Sequence, residues 1–201
     1  MKIAVFVSGR GSNLQAILDY RHIVKAIDVK IIVSDKLDCL AFEIAKEHSI
    51  KVLSVGKKES CISYDKLSDI FDEIGIELIV LAGFLKLIPI EFVKKYENRI
   101  INIHPALLPS FGGKGMYGMY VHNAVFQSTA KISGVTIHFI DPDYDSGKII
   151  AQESVDISNV KSPEEIAERV LNVEHKILPY VVGKFVEGKV KIMNNRVVIF
   201  D

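Results

Sequence analysis

The chain has 201 residues, of which 49% are hydrophobic and 25% are charged, a composition typical of folded globular proteins and unlike that of disordered ones. Basic and acidic residues number 25 each, so the formal net charge is zero and no global field attracts nucleic acid or an anionic membrane. We therefore predict a single domain over residues 1–201 that binds neither. The longest apolar run, residues 78–85, is too short to span a membrane, and the strand-like run directly after Met1 leaves no room for a signal peptide.

The two cysteines, Cys39 and Cys61, lie far apart in the sequence and lack the spacing of a metal cluster. This usage favours a reducing compartment and predicts neither a disulfide nor a metal site. We therefore expect a cytoplasmic protein, and we expect it to be a monomer or a weak homodimer.

Short β-branched runs alternate with stretches of helical period in the first half of the chain. The runs predict strands at residues 3–7, 29–33, 52–55, 78–81 and 100–103. Between them, apolar residues recur at helical spacing, as in Leu67, Ile70, Phe71 and Ile74, and a similar stripe begins at Leu14. This alternation predicts an α/β fold: a Rossmann-like, mainly parallel sheet with helices on both faces.

The pattern changes after residue 130. Alternating apolar and polar residues at 135–139, and a second strand at 148–155, predict mixed strands near a C-terminal edge of the sheet. A long helix is predicted from Ser162, with Pro163 in its first turn and Glu165 completing a capping box. Residues 190–200 predict a terminal hairpin that turns at Asn194-Asn195.

The first loop of interest, residues 8–13, reads Ser-Gly-Arg-Gly-Ser-Asn and lies between the first strand and the first helix. Its glycines permit a tight turn, and the helix start offers N–H groups and a positive dipole end, so the loop suits a single phosphate. A plain turn capped by Ser12 stays open. A dinucleotide site would need a small residue where Leu14 stands, although Asp35 after the second strand could hold a ribose.

Two further loops follow the fourth and fifth strands. Residues 82–89 are apolar and end at Pro89, which is expected to open a helix; they line a pocket, or Phe84 and Leu85 simply pack under that helix. Asn102 and His104 lie two apart and therefore on one face of a strand that Pro105 stops. An amide and an imidazole side by side suit acyl-type chemistry, since one can donate to an oxyanion and the other can move a proton. A purely structural role for the pair stays open.

The fourth loop, residues 141–147, begins like a calcium site but lacks its glycine and its bidentate glutamate, having Ser146 and Gln152 in those places. The loop could instead set a carboxylate beside His104 and raise the pKa of the histidine.

The other histidines have ordinary expected environments. We expect His22 and His48 to be solvated near helix ends, His138 to be a hydrogen-bonded strand residue, and His122 and His175 to lie on helices. Glu174 borders the buried stripe of the long helix, made of Ile166, Val170, Val173 and Ile177, and needs a partner, for which a ligand is one candidate.

In this order, the loops resemble those of the phosphoribosylglycinamide formyltransferase family, folate-dependent enzymes of purine synthesis. The matching motifs are Ser-Gly-x-Gly-Ser-Asn at 8–13, Leu-Ala-Gly-Phe at 81–84, Asn-Ile-His-Pro-x-Leu-Leu-Pro at 102–109, Gly-Lys-Gly-Met-Tyr-Gly at 113–118, Asp-x-Gly at 145–147 and Glu-His at 174–175. Single motifs are moderately specific, whereas the ordered set is highly specific and covers essentially the whole chain.

The resemblance implies the formyltransferase fold and the transfer of a formyl group from 10-formyltetrahydrofolate to glycinamide ribonucleotide, without a metal. Residues 1–100 would form a phosphate-binding half and residues 101–201 a folate-binding and catalytic half. The implied roles are catalysis by Asn102, His104 and Asp145; ribonucleotide binding by Gly11, Ser12, Asn13 and Glu174; and folate binding by Leu85, Lys86, Leu87, Ile88, Asn102, Ile140 and Asp141. Protonated His104 and the Asn102 amide would stabilise the oxyanion, and Asp145 would raise the His104 pKa.

Two positions depart from the family pattern. Cys61 stands where a basic residue often precedes the Tyr-Asp pair, so a contact to the glutamate tail of the folate is either missing or supplied by Lys57 or Lys58. Leu171 stands where Lys or Gln is frequent, so the phosphate site would rely more on backbone N–H groups. Formyltetrahydrofolate deformylases and methionyl-tRNA formyltransferases share the Asn-x-His and Asp core but carry an additional domain for which this length leaves no room. A catalytically silent binding module is the remaining alternative, and the joint presence of Asn102, His104 and Asp145 argues against it.

Overall fold

The computed structural model describes residues 1–20, 26–142 and 145–200. His22 and residues 143–144 of the fourth loop, for which the sequence makes predictions, lie outside these described residues. Contacts divide the chain into two compact units, Met1–Asn102 and Ile103–Asp201, with the boundary inside the fifth strand. The functional roles assigned above to the two halves stay predictions.

The first unit is built on parallel strands that pair in the order β3-β2-β1-β4-β5. The strands are β1 (Lys2–Val7), β2 (Asp28–Ser34), β3 (Lys51–Ser54), β4 (Leu78–Leu81) and β5 (Ile100–His104). Each predicted strand is confirmed to within a residue at either end. The parallel pairing follows from the intervening helices, since consecutive parallel strands need a crossover connection.

Four helices connect these strands: α1 (Ser12–Asp19), α2 (Ala41–Glu47), α3 (Tyr64–Ile74) and α4 (Ile90–Lys95). The predicted stripe of α3 faces inward, because Leu67 and Phe71 are buried. Phe6, near the end of β1, where residues 3–7 are buried, makes edge-to-face ring contacts with Phe71 and Phe84 at centroid distances of 6.2 and 5.2 Å. Pro89 directly precedes α4, as predicted.

The register of the parallel strands brings three strand ends to the same edge. Phe6 pairs with Leu81, and Leu81 pairs with Asn102. The loops after β1 and β4 and the side chain of Asn102 therefore lie at the carboxyl edge of neighbouring strands, where ligands bind in open α/β sheets.

The second unit contains α5 (Met119–Gln127), β6 (Ile132–Phe139), β7 (Ile149–Asp156), α6 (Pro163–Val186), β8 (Val190–Met193) and β9 (Arg196–Ile199). β6 and β7 are antiparallel, and β8 and β9 form the predicted hairpin. The sequence prediction of parallel strands followed by mixed C-terminal ones is thus confirmed.

Helix α6 begins as its sequence predicts. The Ser162 hydroxyl accepts the N–H of Glu165 at 3.4 Å, but the Glu165 carboxylate accepts the N–H of Lys161 instead of that of Ser162, so only half of the predicted capping box forms. The stripe of Ile166, Val170, Val173 and Ile177 is buried. Among the described residues, no helix is both long and apolar enough to cross a membrane.

Candidate active site

The glycine loop after β1 is held in place by backbone contacts within the first unit. The N–H of Ser8 donates to the carbonyl of Gly83 at 3.1 Å, and its hydroxyl accepts the N–H of Leu85 at 2.9 Å. Gly11 has a φ of 80°, and a Cβ there would lie 2.7 Å from the Cβ of Ala41. Only glycine meets both requirements, since a side chain disfavours this φ and has no room.

Gly11 is also the N-cap of α1. Within the described part of the chain, this helix start has no side-chain cap and no acidic residue in its first turn. The alternative of ordinary capping by Ser12 is therefore wrong, because Ser12 is the first helical residue and lies exposed. Asn13 is buried, with 7% of its surface exposed. An uncapped helix start with its positive dipole end is suited to an anion such as phosphate.

The apolar loop after β4 is split between core and surface. Phe84 and Ile88 are buried, whereas Leu85 and Leu87 expose 47% and 57% of their surface, and Lys86 is exposed. The packing alternative is therefore right for Phe84 and wrong for Leu85. Four of the residues predicted to bind folate are in this loop; three of them present their side chains to solvent and Ile88 does not. Leucine side chains exposed at the ligand edge are typical of a binding surface.

Asn102 and His104 are both on β5, as predicted, and His104 is its last residue. Asn102 is half-buried, and His104 is 3% exposed. Within the second unit, the segment that follows His104 is tied to β6 by the hydroxyl of Thr136, which accepts the N–H of Leu108 and donates to the carbonyl of Ala106 at 2.9 and 2.7 Å.

The segment between β5 and α5 and the loop between β6 and β7 bring Asp145 to His104. Oδ2 of Asp145 lies 3.8 Å from Nδ1 of His104 and accepts the N–H of Gly113 at 2.8 Å. On the other side of the ring, Nε2 of His104 lies 2.9 Å from the carbonyl oxygen of Phe111. Phe111 and Asp145 both have left-handed backbones, with φ of 55° and 52°. Non-glycine residues in this region are strained, and such strain concentrates at functional sites.

The hydrogen bonds fix the tautomer of His104. A carbonyl oxygen only accepts, so Nε2 carries the hydrogen and Nδ1, facing Asp145, is unprotonated in the neutral ring. Burial lowers the pKa of His104, against the raising effects of the Asp145 charge and the Phe111 carbonyl. The sequence correctly predicts that Asp145 raises the pKa of His104. It gives the wrong net direction of the pKa shift, because desolvation of the charged ring has a larger effect than the carboxylate.

The remaining residues of the second unit that the sequence predicts to bind substrate lie in the loop after β6 and on α6. Ile140 and Asp141 follow β6 and are half-buried, and the carboxylate of Asp141 accepts the hydroxyl of Ser146 at 2.7 Å. Glu174 is on α6 with 9% of its surface exposed. His175 follows it on the same helix, and burial lowers its pKa.

Two histidines near His104 have environments that the sequence did not reveal. His138 is fully buried and donates from Nδ1 to the carbonyl of Phe139, which confirms the predicted hydrogen bond, but its Nε2 also lies 3.7 Å from Oδ1 of Asp145. His122 is on α5, as predicted, and is 6% exposed. Burial and the nearby His104 lower the pKa of His122 to about 4. The local sequence pattern gave no signal for either relationship, because both depend on contacts between different elements of the fold.

No group of three or more His, Cys, Asp or Glu residues in the described segments could hold a metal ion. Cys39 and Cys61 are free cysteines. Lys57 and Lys58 are exposed in the loop before α3, and Leu171 exposes 37% of its surface on α6. The replacement of a folate contact by Lys57 or Lys58 stays a prediction.

Comparison of the chain with known proteins identifies the family to which it belongs. Residues 1–182 match the family described as formyl transferase. The chain is 45% identical over 195 residues to the chloroplastic phosphoribosylglycinamide formyltransferase of Arabidopsis thaliana, covering 94% of this chain and 67% of that protein. It is 33% identical over 199 residues to the phosphoribosylglycinamide formyltransferase of Escherichia coli strain K12, covering 97% and 92%. The chain therefore belongs to the formyl transferase family.

The fold is shared with solved members of that family. The crystal structure of phosphoribosylglycinamide formyltransferase from Anaplasma phagocytophilum superposes with a TM-score of 0.90 at 29% identity, covering 100% of this chain and 95% of that one. A formyltetrahydrofolate deformylase from Pseudomonas putida has a TM-score of 0.83 at 27% identity, covering 99% and 70%. The resemblance predicted from the ordered loops and the formyltransferase fold are both confirmed.

Proposed function

We propose that this chain transfers the formyl group of 10-formyltetrahydrofolate to the amine of 5-phosphoribosylglycinamide, giving formylglycinamide ribonucleotide and tetrahydrofolate in purine biosynthesis. The observation that carries the proposal is the approach of half-buried Asp145 to buried His104, with both side chains held by the backbone of Phe111 and Gly113. Family membership supplies the substrates, since full-length bacterial relatives carry the name of this activity.

The reaction needs one proton to change places. The amine nitrogen forms a bond to the formyl carbon, the bond from that carbon to N10 of the folate breaks, and the proton lost by the amine ends on N10. Neutral His104 is suited to this exchange, because its unprotonated Nδ1 can accept the proton while Asp145 stabilises the imidazolium that forms. The lowered pKa of His104 in the free protein thus favours this residue as a base first and an acid second.

The remaining residues take binding and electrostatic roles in this proposal. The Asn102 amide donates to the oxyanion that develops on the formyl oxygen, together with the imidazolium of His104. Gly11, Ser12 and Asn13 hold the ribonucleotide phosphate at the start of α1, and Glu174 contacts its sugar and glycinamide part. Folate contacts Leu85, Lys86, Leu87, Ile88, Asn102, Ile140 and Asp141. Binding both substrates together supplies much of the acceleration through proximity.

The deciding experiment incubates the purified protein with 10-formyltetrahydrofolate, with and without glycinamide ribonucleotide, and follows release of tetrahydrofolate. Release that requires the ribonucleotide, with formylglycinamide ribonucleotide as product, is the expected result. The similarity to a formyltetrahydrofolate deformylase makes hydrolysis the second candidate, and release without an amine acceptor would establish it. No release under either condition would favour a binding module and refute the transferase.

We also infer a cytoplasmic location, from the free thiols of Cys39 and Cys61, and a monomer or weak homodimer. The zero net charge supports small-molecule substrates and no nucleic-acid partner. Sedimentation velocity over a range of protein concentrations tests the oligomeric state, and a stable assembly larger than a dimer would contradict it.

A further inference from the structure

Ser8 connects two loops of the first unit to which we assign different substrates. It follows β1 directly and is 2% exposed. Its N–H donates to the carbonyl of Gly83 at 3.1 Å, and its hydroxyl accepts the N–H of Leu85 at 2.9 Å. The backbone and the side chain of one residue in the glycine loop therefore both bind the apolar loop after β4.

The side-chain bond extends the pairing of β1 and β4 past the ends of the strands. The N–H of Ala82 donates to the carbonyl of Phe6 at 2.8 Å, and the bond from Ser8 to Gly83 follows it. Gly83 has a φ of 76°, a left-handed conformation that ends the extended chain. The Ser8 hydroxyl supplies the acceptor for the N–H of Leu85, two residues beyond this turn.

The glycine loop is held to the start of α2 as well. The carbonyl of Gly9 accepts the N–H of Ala41 and the thiol of Cys39, each at 3.2 Å. Gly11, the N-cap of α1, packs so closely on Ala41 that a Cβ at Gly11 would lie 2.7 Å from the Cβ of Ala41. Only two residues separate Ser8 from Gly11, so a shift of Ser8 also shifts the helix start at which we propose that phosphate binds.

The apolar loop after β4 depends on this bond because its next residues are exposed. Phe84 is buried and packs edge-to-face on Phe6 at a centroid distance of 5.2 Å. Leu85 and Leu87 instead expose 47% and 57% of their surface. A side chain that faces solvent contributes little packing, so the bond from the Leu85 N–H to Ser8 has a large share in fixing this part of the loop.

A hydrogen bond shared by two loops can couple the ligands that bind them. Each loop residue that a ligand orders costs conformational entropy. A ligand that orders the glycine loop also fixes the Ser8 hydroxyl, which lowers the cost of ordering Leu85 when a second ligand binds. The effect holds equally in reverse, because a coupling free energy between two binding sites is reciprocal.

We propose that Ser8 is a positioning residue through which the ribonucleotide and the folate favour each other's binding. Its hydroxyl joins the loop that holds the phosphate to the loop that holds the folate, so each ligand meets a loop that the other has already ordered. The inference deepens the proposed function and rests on it for the identity of the two ligands. The coupling between the loops is a property of the first unit alone.

Four substitutions test this role. Ser8→Ala removes the acceptor of the Leu85 N–H, and Ser8→Cys, which has a weak acceptor of similar size, takes its place if the alanine variant does not fold. Ser8→Thr keeps the hydroxyl and is the conservative rescue. Ser133→Ala is the matched control, because Ser133 is 3% exposed on β6 and its hydroxyl has no hydrogen-bond partner among the described residues. Circular dichroism and thermal melts establish that each variant is folded.

The first measurement uses inorganic phosphate as the probe. Nuclear magnetic resonance follows the exchange of backbone amide hydrogens with and without saturating phosphate, and the shifts of Gly11, Ser12 and Asn13 report that phosphate is bound. In the wild-type protein we expect phosphate to slow exchange at Leu85 by about tenfold. In Ser8→Ala the Leu85 amide should exchange faster than in the wild type and no longer respond to phosphate.

Three results of this measurement would overturn the proposal. The first is a wild-type Leu85 exchange rate that bound phosphate does not change. The second is an equal response to phosphate in Ser8→Ala. The third is an absence of phosphate binding at the glycine loop of the wild-type protein.

The second measurement is the coupling between the two ligands. Calorimetry gives the Kd of tetrahydrofolate, the product of the proposed reaction, with and without saturating glycinamide ribonucleotide. We expect the ribonucleotide to tighten this Kd by about fivefold or more in the wild type, Ser8→Thr and Ser133→Ala, and to leave it nearly unchanged in Ser8→Ala. A merely structural role of Ser8 would weaken the binding of both ligands without changing this ratio, so an unchanged ratio in Ser8→Ala would refute the coupling.

Turnover gives a further check. We expect Ser8→Ala to raise the KM of both substrates by about fivefold and to lower kcat less, because the hydroxyl acts on binding and not on the reacting atoms. A fall in kcat with both KM values unchanged would contradict the proposal. If the wild-type protein transfers no formyl group, the proposed function fails, whereas the response of Leu85 exchange to phosphate still decides whether Ser8 couples the loops.

Discussion

Asp145 is oriented by the peptide backbone even when His104 is neutral, because the N–H of Gly113 donates to Oδ2 at 2.8 Å and the same oxygen lies 3.8 Å from Nδ1 of His104. The carboxylate therefore needs no reorganisation when the imidazole becomes charged. Such preorganised charge is a large source of rate acceleration in enzymes. Removal of the side chain of His104 or Asp145 should therefore affect turnover more than ligand binding.

We expect His104→Ala and Asp145→Ala to remove turnover while largely sparing ribonucleotide binding. The loss of the proton carrier or of the charge that stabilises it should lower kcat by about 10²–10³ or more, as loss of one oxyanion donor typically does. Steady-state kinetics and calorimetric titration with the ribonucleotide measure the two effects. Asp69→Ala, at an exposed position on α3, is the control. Near-normal turnover in either active-site variant would exclude the assignment.

The buried histidines make stability depend on pH. His122 has a pKa of about 4 in the folded protein against 6.5 for an unperturbed ring. Because the unfolded state binds the proton more readily, the contribution of His122 to the free energy of unfolding is complete above pH 6.5 and declines as the pH falls towards 4. Burial also lowers the pKa of His104, His138 and His175, which act in the same direction.

Denaturant unfolding at a series of pH values tests this dependence. His122→Gln should flatten the curve between pH 6.5 and 4 by at most about 1.4 kcal/mol per pH unit, the value for one proton, and leave the slope due to the other buried histidines. His48→Gln, which removes an exposed histidine, should leave the curve unchanged. An equally steep curve in the His122 variant would show that this ring is not neutral in the folded state.

Arg10 gives the glycine loop after β1, which we propose binds phosphate, a cation that the family motif does not specify. It lies exposed between Gly9 and Gly11, next to the start of α1. We expect Arg10→Gln to raise the KM for the ribonucleotide by about tenfold at low ionic strength, because a charge-assisted contact to phosphate is lost, and by less at high salt. The KM for the folate should not change.

The control for Arg10 is Lys46→Gln, which removes an exposed cation in the last turn of α2. Kinetics of both variants at two salt concentrations distinguish a local contact from a general effect of net charge. Equal effects of the two substitutions, or an Arg10 effect that is independent of salt, would contradict the prediction.

Gly147 should tolerate no side chain. A Cβ at this position would overlap the carbonyl oxygen of Phe139, so Gly147→Ala must displace the loop that carries Asp145. We expect a loss of about 1–3 kcal/mol in the free energy of unfolding, as for other overpacked sites, together with a fall in kcat. Gly9→Ala is the control for stability, since its Cβ would meet no heavy atom within 4 Å. Comparable stability of the two variants would mean that the loop can move away at little cost.

The strands, the long helix and the order of the loops could be predicted because they depend on local chemistry. Continuous β-branched runs mark the buried strands, the apolar stripe of α6 marks its inner face, and two glycines around Arg10 mark a turn before a helix. Asn102 and His104 share a strand, and their alternation follows from strand geometry alone.

Other features could not be read from the order of residues. Ser12 looks like a helix cap, but the positive φ of Gly11 starts the helix one residue earlier than a serine cap would. Leu85 and Ile88 are similar side chains in one apolar loop, yet packing exposes the first and buries the second. His138 has the pattern of an ordinary strand residue, and nothing near it in the sequence indicates the carboxylate of Asp145.

The amino-acid sequence by itself thus determined the fold class and the family, because periodicity and ordered motifs are properties of neighbouring residues. The residues that it assigns to catalysis stay a prediction. The tertiary structure decided the surroundings that lower the pKa of His104. A pKa depends on how completely a ring is removed from water and on which charges surround it in space. The Phe111 carbonyl, the Asp145 carboxylate and the burial of His104 come together only when the loops fold back on β6.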